Sequence, residues 1–341
     1  MDIARLHADC LLRPFNDVEQ KKSLQELNRI FTTDRHLIAT YAQREDLVSA
    51  YAAFYLPTNL RKLDFILPLF PHPWAGATAI EVVDIGCGPG TCSLGLFPHL
   101  PPSTVYHLVD PSPLMRAQAQ RIRDVLYPSM DARCHDRLPD LPRGPFRIAL
   151  FGNVINEMPS GAFEVLCRSL APDAVIALEP GTSDAFVHMS RVRRFMGRKD
   201  YTILYPCPGD GRCPAAAKEG EWCHQVLRGS IDPALERLGQ LAGIDRKVMP
   251  FIGHVYARGV PSTSRGAMVF RLKKHSKHAF HLTLCDDRGS LRLVDVELPV
   301  RGLDRDQLKR MERLCAGEFI RVEDVSLLGS GVTRVALSSS T

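Results

Sequence analysis

Between residues 17 and 70 the apolar positions fall three and four apart: Leu24, Leu27, Ile30 and Phe31, then Leu47, Tyr51 and Phe54, and beyond Pro57 Leu60, Leu63 and Ile66. That is the period of one buried helix face, so an N-terminal helical cap is expected. The prolines and glycine of Phe70-Pro-His-Pro-Trp-Ala-Gly76 mark a linker. Short apolar runs then alternate with helical ones: residues 80–85, 105–109, 147–154 and 174–178 read as strands, and 115–126 and 162–170 as helices. This alternation predicts an α/β fold with a doubly wound, Rossmann-like parallel sheet. After about residue 245 the pattern turns strand-like, at 268–272, 279–284, 291–298 and 319–328, punctuated by Asp-Asp-Arg-Gly289. A small β-rich C-terminal domain follows, and an OB-like barrel would suit its strand lengths and charge. The expected organisation is a helical cap over 1–75, a sheet domain over 76–245 with a cysteine loop at 202–226, and a basic β-rich domain over 246–341.

Composition narrows the class. Of 341 residues, 45% are hydrophobic and 24% charged, which suits a globular chain and excludes disorder as the main state. No run of about 18 apolar residues occurs, so no membrane partner is expected. The N-terminus Met-Asp-Ile-Ala-Arg-Leu-His-Ala-Asp9 lacks a signal-peptide core and the acid-poor, Arg- and Ser-rich character of a transit peptide. A cytoplasmic protein is expected, or a mitochondrial matrix one only if a transit peptide has been removed. Ten cysteines outside a secretory context favour reduced thiols or metal over disulfides.

Four cysteines stand out. Cys207, Cys213 and Cys223 lie in Pro206-Cys-Pro-Gly-Asp-Gly-Arg-Cys-Pro214 and Glu221-Trp-Cys-His224, and Cys285 lies beyond. Prolines and glycines deny this loop a regular backbone ladder, and thiolates on a metal could hold it instead. Structural zinc usually takes ligands in C-x2-4-C pairs, whereas these spacings are C-x5-C and C-x9-C. The spacing tilts toward an iron–sulfur cluster, with zinc as the alternative. His224 beside Cys223 could be a ligand in place of Cys285, but a histidine next to a ligand more often supplies a hydrogen bond to it.

The net charge is only +5, but its distribution is uneven. From Arg246 to Cys285 there is no Asp or Glu, while Arg271, Lys273, Lys274 and Lys277 fall within that run. Arg191, Arg193, Arg194 and Arg198 form a second basic group just before the cysteine loop. Two such groups flanking one loop point to a polyanion, and RNA is the expected partner.

The first strand ends in Asp84-Ile-Gly86-Cys-Gly88-Pro-Gly90-Thr91. Glycines let the backbone turn sharply and let a ligand approach closely, but Pro89 has no N–H to offer a pyrophosphate, so a cofactor without phosphates fits better. Asp110 ends the second strand, 24 positions after Gly86, where a carboxylate can accept both ribose hydroxyls. Asn153, Asn156 and Glu157 follow the fourth strand, placed to cap the next helix or close over a cofactor.

Asp84, the glycines and Asp110 together resemble class I S-adenosylmethionine-dependent methyltransferases. That resemblance implies that Asp84 organises the loop near the methionine amino group, that Gly86, Gly88 and Gly90 line the cofactor, and that Asp136 meets the adenine amine. From about residue 45 to 295 the order of motifs is similar to the Rsm22 family: Tyr55-Leu-Pro-Thr58, Asp84–Thr91, Asn153–Pro159, Leu178-Glu-Pro-Gly-Thr182, the loop from Pro206 to His224, and His281-Leu-Thr-Leu-Cys-Asp-Asp-Arg-Gly289. Tyr55 stands where that family usually has arginine. The resemblance implies a protein that binds small-subunit rRNA and ribosomal assembly particles, with a 4Fe–4S cluster on Cys207, Cys213, Cys223 and Cys285. Three functions stay open at this stage: an rRNA-binding assembly or translation factor that binds S-adenosylmethionine, an active rRNA methyltransferase, and a zinc-containing small-molecule methyltransferase.

Overall fold

The computed structural model describes residues 1–261, 265–288, 290–328 and 331–338, so Gly289 of the expected turn lies outside the described residues. Contacts divide the chain into two compact units that interleave in sequence. One comprises Met1–Leu67, Trp74–Ala177 and Gly229–Val248, the other Pro68–Pro73, Leu178–Arg228 and Met249–Thr341.

The first unit contains the expected N-terminal helices. Helix Asp17–Thr32 opens at Asn16, whose side chain accepts from the Val18 and Glu19 N–H groups while Glu19 reaches back to the Asn16 N–H. Three backbone donors at the helix start are thereby satisfied. Its Leu24, Leu27 and Ile30 are buried beside Leu47, Phe54, Leu235 and Leu238. Residues 45–66 run as one helix through Pro57, α-helical over Glu45–Ala50 and Leu56–Ile66 with a π-helical turn at Tyr51–Tyr55 between. Pro57 brings no N–H to the Ala53 carbonyl four residues back, and the His7 ring donates there instead, Nε2 to oxygen at 2.9 Å.

Strands β1 (Ile80–Ile85), β2 (Val105–Val109), β3 (Asp131–His135), β4 (Phe146–Gly152) and β5 (Ala174–Pro180, shared with the second unit from Leu178) follow the order β3-β2-β1-β4-β5. β1 pairs parallel with β2 and with β4, and β2 with β3. β1 is buried along its whole length, as a central parallel strand covered on both faces should be. This is the expected doubly wound α/β sheet. The chain steps outward from β1 to β3 and then returns to β1's other side as β4, so a switch point lies at the C-terminal ends of β1 and β4. In open α/β sheets that is where ligands bind.

In the second unit β8 (Val248–Arg258) pairs with β6 (Tyr201–Tyr205), antiparallel, and with β7 (Gln225–Arg228). The C-terminal strands are β9 (Ala267–Leu272), β10 (Ala279–Asp286), β11 (Arg292–Pro299), β12 (Phe319–Ile320), β13 (Val322–Leu327) and β14 (Thr333–Leu337). They form one six-stranded sheet ordered β12-β9-β10-β11-β14-β13. This open path differs from the OB-like barrel that strand lengths and charge suggest. β11 and β14 are parallel, a pairing that needs a long crossover, and helix Arg305–Arg313 lies on that connection. The helix adds Met311 to a core of Leu282, Leu284, Val296 and Leu298.

Candidate functional site

The glycine loop sits at the switch point of the first unit. Gly86 and Cys87 donate their N–H groups to the Val109 carbonyl, at 2.8 and 3.1 Å, which ties the loop to the end of β2. Gly86, Gly88 and Gly90 all take positive φ, +64°, +52° and +88°. A Cβ on Gly86 would lie 2.4 Å from Val154 Cγ2, whereas one on Gly88 would meet nothing nearer than Met115 Sδ at 4.0 Å. The first glycine is therefore required by packing, and the second leaves the loop open to a ligand.

Two carboxylates frame this loop. Asp84 is 1% exposed, and its Oδ2 accepts from the Ser93 N–H at 3.1 Å and the Ser93 hydroxyl at 2.8 Å. Its Oδ1 is buried with no partner among the described residues, and burial pushes the carboxyl up to about 7. Asp110 accepts from the Gly88 N–H at 2.9 Å and the Ser112 N–H at 2.9 Å, and burial raises it as well. The Asp110 N–H donates to the His135 carbonyl, so exposed Asp136, next in the chain, is on the same rim. Thr91 Oγ1 and Asn156 Oδ1 are also buried without partners among the described residues. Unfilled buried acceptors around an open glycine turn fit a ligand rich in hydrogen-bond donors.

Asn153, at φ +56°, follows β4 and accepts from Lys62 Nζ at 3.1 Å. The helical cap contributes more than cover: Ser112 Oγ donates to the Ala42 carbonyl at 2.6 Å, and the Tyr41 and Tyr51 rings stack 6.0 Å apart. Desolvation raises the Tyr41 phenol, and Tyr51, Glu157 and Asp110 raise it further. Glu157 is pushed up to about 7 by desolvation, with Asp110 adding to the shift.

All four cysteines singled out in the sequence belong to the second unit. Cys207 and Cys223 are each 9% exposed, Cys285 5%, and Cys213 is partly buried. Burial raises the thiols of Cys207, Cys223 and Cys285. Cys223 is raised further by Cys207, Cys213 and Cys285, and Cys285 by Cys207 and Cys213, so the sulfurs share one neighbourhood. A Cβ on Gly209 would fall 2.1 Å from Asp287 Oδ2, and one on Gly211 3.4 Å from Leu291, so the loop lies on the segment between β10 and β11. Arg193 turns into it. Its Nε donates to Cys207 Sγ at 3.4 Å and its Nη2 to the Gly209 and Gly211 carbonyls at 3.3 and 2.7 Å. His224 Nδ1 is buried without a partner among the described residues, and the ring stacks on Trp222. Among the described residues no group of three or more His, Cys, Asp or Glu is set to hold a metal ion.

The basic groups come out unevenly. Arg191, Arg194 and Arg198 are exposed, as are Lys274 and Lys277. Arg193 is committed to the cysteine loop. Arg271 pairs with Glu221 at 2.7 Å and Lys273 with Asp295 at 2.7 Å. Arg246 lies in the first unit, over the Tyr55 ring, donating to Asn59 at 2.8 Å.

The family model described as mitochondrial small ribosomal subunit Rsm22 matches residues 44–296. The chain belongs to the Rsm22 family. Two Schizosaccharomyces pombe relatives, Rsm22-cox11 tandem proteins 1 and 2, mitochondrial, are each 24% identical over 247 residues, 63% of this chain and 33% of theirs. The chain thus spans about a third of the length of these curated relatives. Among solved structures it is similar to the Synechocystis magnesium protoporphyrin IX methyltransferase with bound SAH, at 12% identity, TM-score 0.36, and 70% and 100% coverage of the two chains. No helix among the described residues is long and apolar enough to cross a membrane. Sequence reading missed Lys62, Tyr41 and the inward turn of Arg193, because each is an ordinary member of a helical pattern whose direction only packing sets.

Proposed function

We propose that this Rsm22-family chain is an rRNA-binding assembly or translation factor of the small ribosomal subunit that keeps a methyltransferase fold, binds S-adenosylmethionine and carries a 4Fe–4S cluster. The carrying observation is the span of the family match, since residues 44–296 include the glycine loop, Asp110, Asn153 and all four cysteines. Asp110 keeps lone pairs beyond those taken by Gly88 and Ser112 and can accept from ribose hydroxyls. The unpartnered Asp84 Oδ1 is the acceptor for donors at the methionine end, and Asp136 on the rim is the one for the adenine amine. When bound, this cofactor supplies an electrophilic methyl group.

Cys207, Cys213, Cys223 and Cys285 are the residues that would hold the cluster, which would tie the loop to the end of β10. Arg193 would offset part of the thiolate charge. The four thiols are of the right type and lie within electrostatic reach of one another, and the C-x5-C and C-x9-C spacings favour a cluster over a single zinc. The family's name and those of its S. pombe relatives favour the mitochondrial matrix over the cytoplasm expected from the N-terminal composition. A second reading, methyl transfer to rRNA, is favoured by Glu157, whose carboxyl near 7 could accept a proton from an acceptor at neutral pH.

Sedimentation with purified small subunits, together with the absorption spectrum of anaerobically purified protein, tests the main reading. Comigration and broad absorption near roughly 400 nm, lost in Cys213→Ser and Cys285→Ser but kept in Cys10→Ser, Cys134→Ser and Cys315→Ser, are expected. Colourless protein with one zinc and no sulfide would overturn the cluster, and failure to comigrate would overturn the partner.

A further inference from the structure

Lys62 is 4% exposed, although lysine normally extends its stem to put the ammonium in water. Its burial results from close helix packing. A Cβ on Gly95 would lie 2.8 Å from Leu63 Cδ1 and 2.9 Å from Leu60 Cδ2, so helix Leu56–Ile66 is pressed onto helix Thr91–Leu96, which starts at the glycine loop. The ammonium is thereby directed to the ends of β1 and β4. Nζ donates to Asn153 Oδ1 at 3.1 Å, and the next residue, Val154, abuts Gly86.

The charges at this end are unequal. Asp84, Asp110 and Glu157 supply three carboxyl groups around the loop. Of the nearby cations, Arg35 acts on Glu157, and Arg116 donates to the Asp110 and Pro111 carbonyls. Lys62 is a buried cation whose ammonium reaches Asn153, the residue after β4. A zwitterionic amino-acid moiety placed there needs acceptors for its ammonium, which the acids provide, and a cation for its carboxylate. Burial strengthens such a charge-assisted contact.

We propose that Lys62, held by Asn153, binds the carboxylate of the methionine moiety of S-adenosylmethionine, so that the helical cap reads the amino-acid end of the cofactor. This rests on the cofactor reading above. Calorimetry with S-adenosylmethionine and with its decarboxylated form, which keeps the sulfonium, the amine and the nucleoside, separates the two. The unaltered protein should prefer the carboxylate-bearing form by tenfold or more. In Lys62→Met that preference should collapse toward unity through weaker binding of S-adenosylmethionine, with affinity for the decarboxylated form unchanged, which also reports an intact fold. Should Lys62→Met not fold, Lys62→Gln retains a donor to Asn153 without the charge, and the same collapse is expected. A preference that survives the substitution, equal weakening of both ligands, or no preference in the unaltered protein would overturn the inference. If the unaltered protein binds neither ligand, the cofactor reading fails and this inference with it.

Discussion

At the scale of single residues, Asp84 joins stability to ligand binding. A carboxyl held near 7 in the folded chain and near 3.8 when unfolded binds its proton more tightly in the fold. Stability therefore falls as pH rises from about 4 to about 7 and levels off beyond, with an upper bound of order 4 kcal/mol at about 1.36 kcal/mol per pH unit. Asp84→Asn should flatten thermal stability across that window and be the more stable form at pH 8, while S-adenosylmethionine binding weakens. Melting curves from pH 4 to 8 check this, and an unchanged pH profile would show that Asp84 does not titrate there. Gly86→Ala is the steric counterpart. With φ at +64° and Val154 Cγ2 2.4 Å from the new methyl, a loss of about 1–3 kcal/mol is expected in denaturant unfolding.

The informative element is the helical run from 45 to 66. Proline breaks a helix interior, yet here Pro57 falls in the first turn of the second α-helical stretch, and the His7 ring donates to the Ala53 carbonyl that Pro57 has no N–H to reach. His7→Ala should cost about 1–3 kcal/mol, the penalty of a buried carbonyl left unpaired. Pro57→Ala restores a backbone N–H, so the double variant should recover part of that loss. Additive effects in the double-mutant cycle would show that the two residues act independently. The π-helical turn just before Pro57 carries Tyr51 and Tyr55. Such turns often occur at functional sites, and this one belongs to the same run as Lys62.

For the whole molecule the question is how much of the basic charge can reach a polyanion. Arg271 and Lys273 already face Glu221 and Asp295, whereas Lys274, Lys277, Arg191, Arg194 and Arg198 are exposed. Replacing Lys274 and Lys277 together should lower the salt dependence of rRNA binding by up to about two contacts, each worth a log–log slope of about 0.7–0.9. Replacing Arg271 and Lys273 should lower it less, because those charges already have partners. Equal effects of the two pairs, in titrations over a range of salt, would refute this partition. Period and turn chemistry are local properties that the fold keeps, so the parallel sheet, the glycine turn with Asp84 and Asp110, and the helical cap were already legible in the sequence. It also marked the four cysteines, although not their common neighbourhood, since Cys285 lies on a strand and the other three in a loop or beside a strand. Tertiary structure alone decided the rest. It turned Arg193 away from the surface and toward Cys207, buried Lys62 against Asn153, and set acids from outside the acid-free run against its arginine and lysine. Side-chain direction and charge pairing depend on neighbours distant in sequence, which a one-dimensional pattern does not contain.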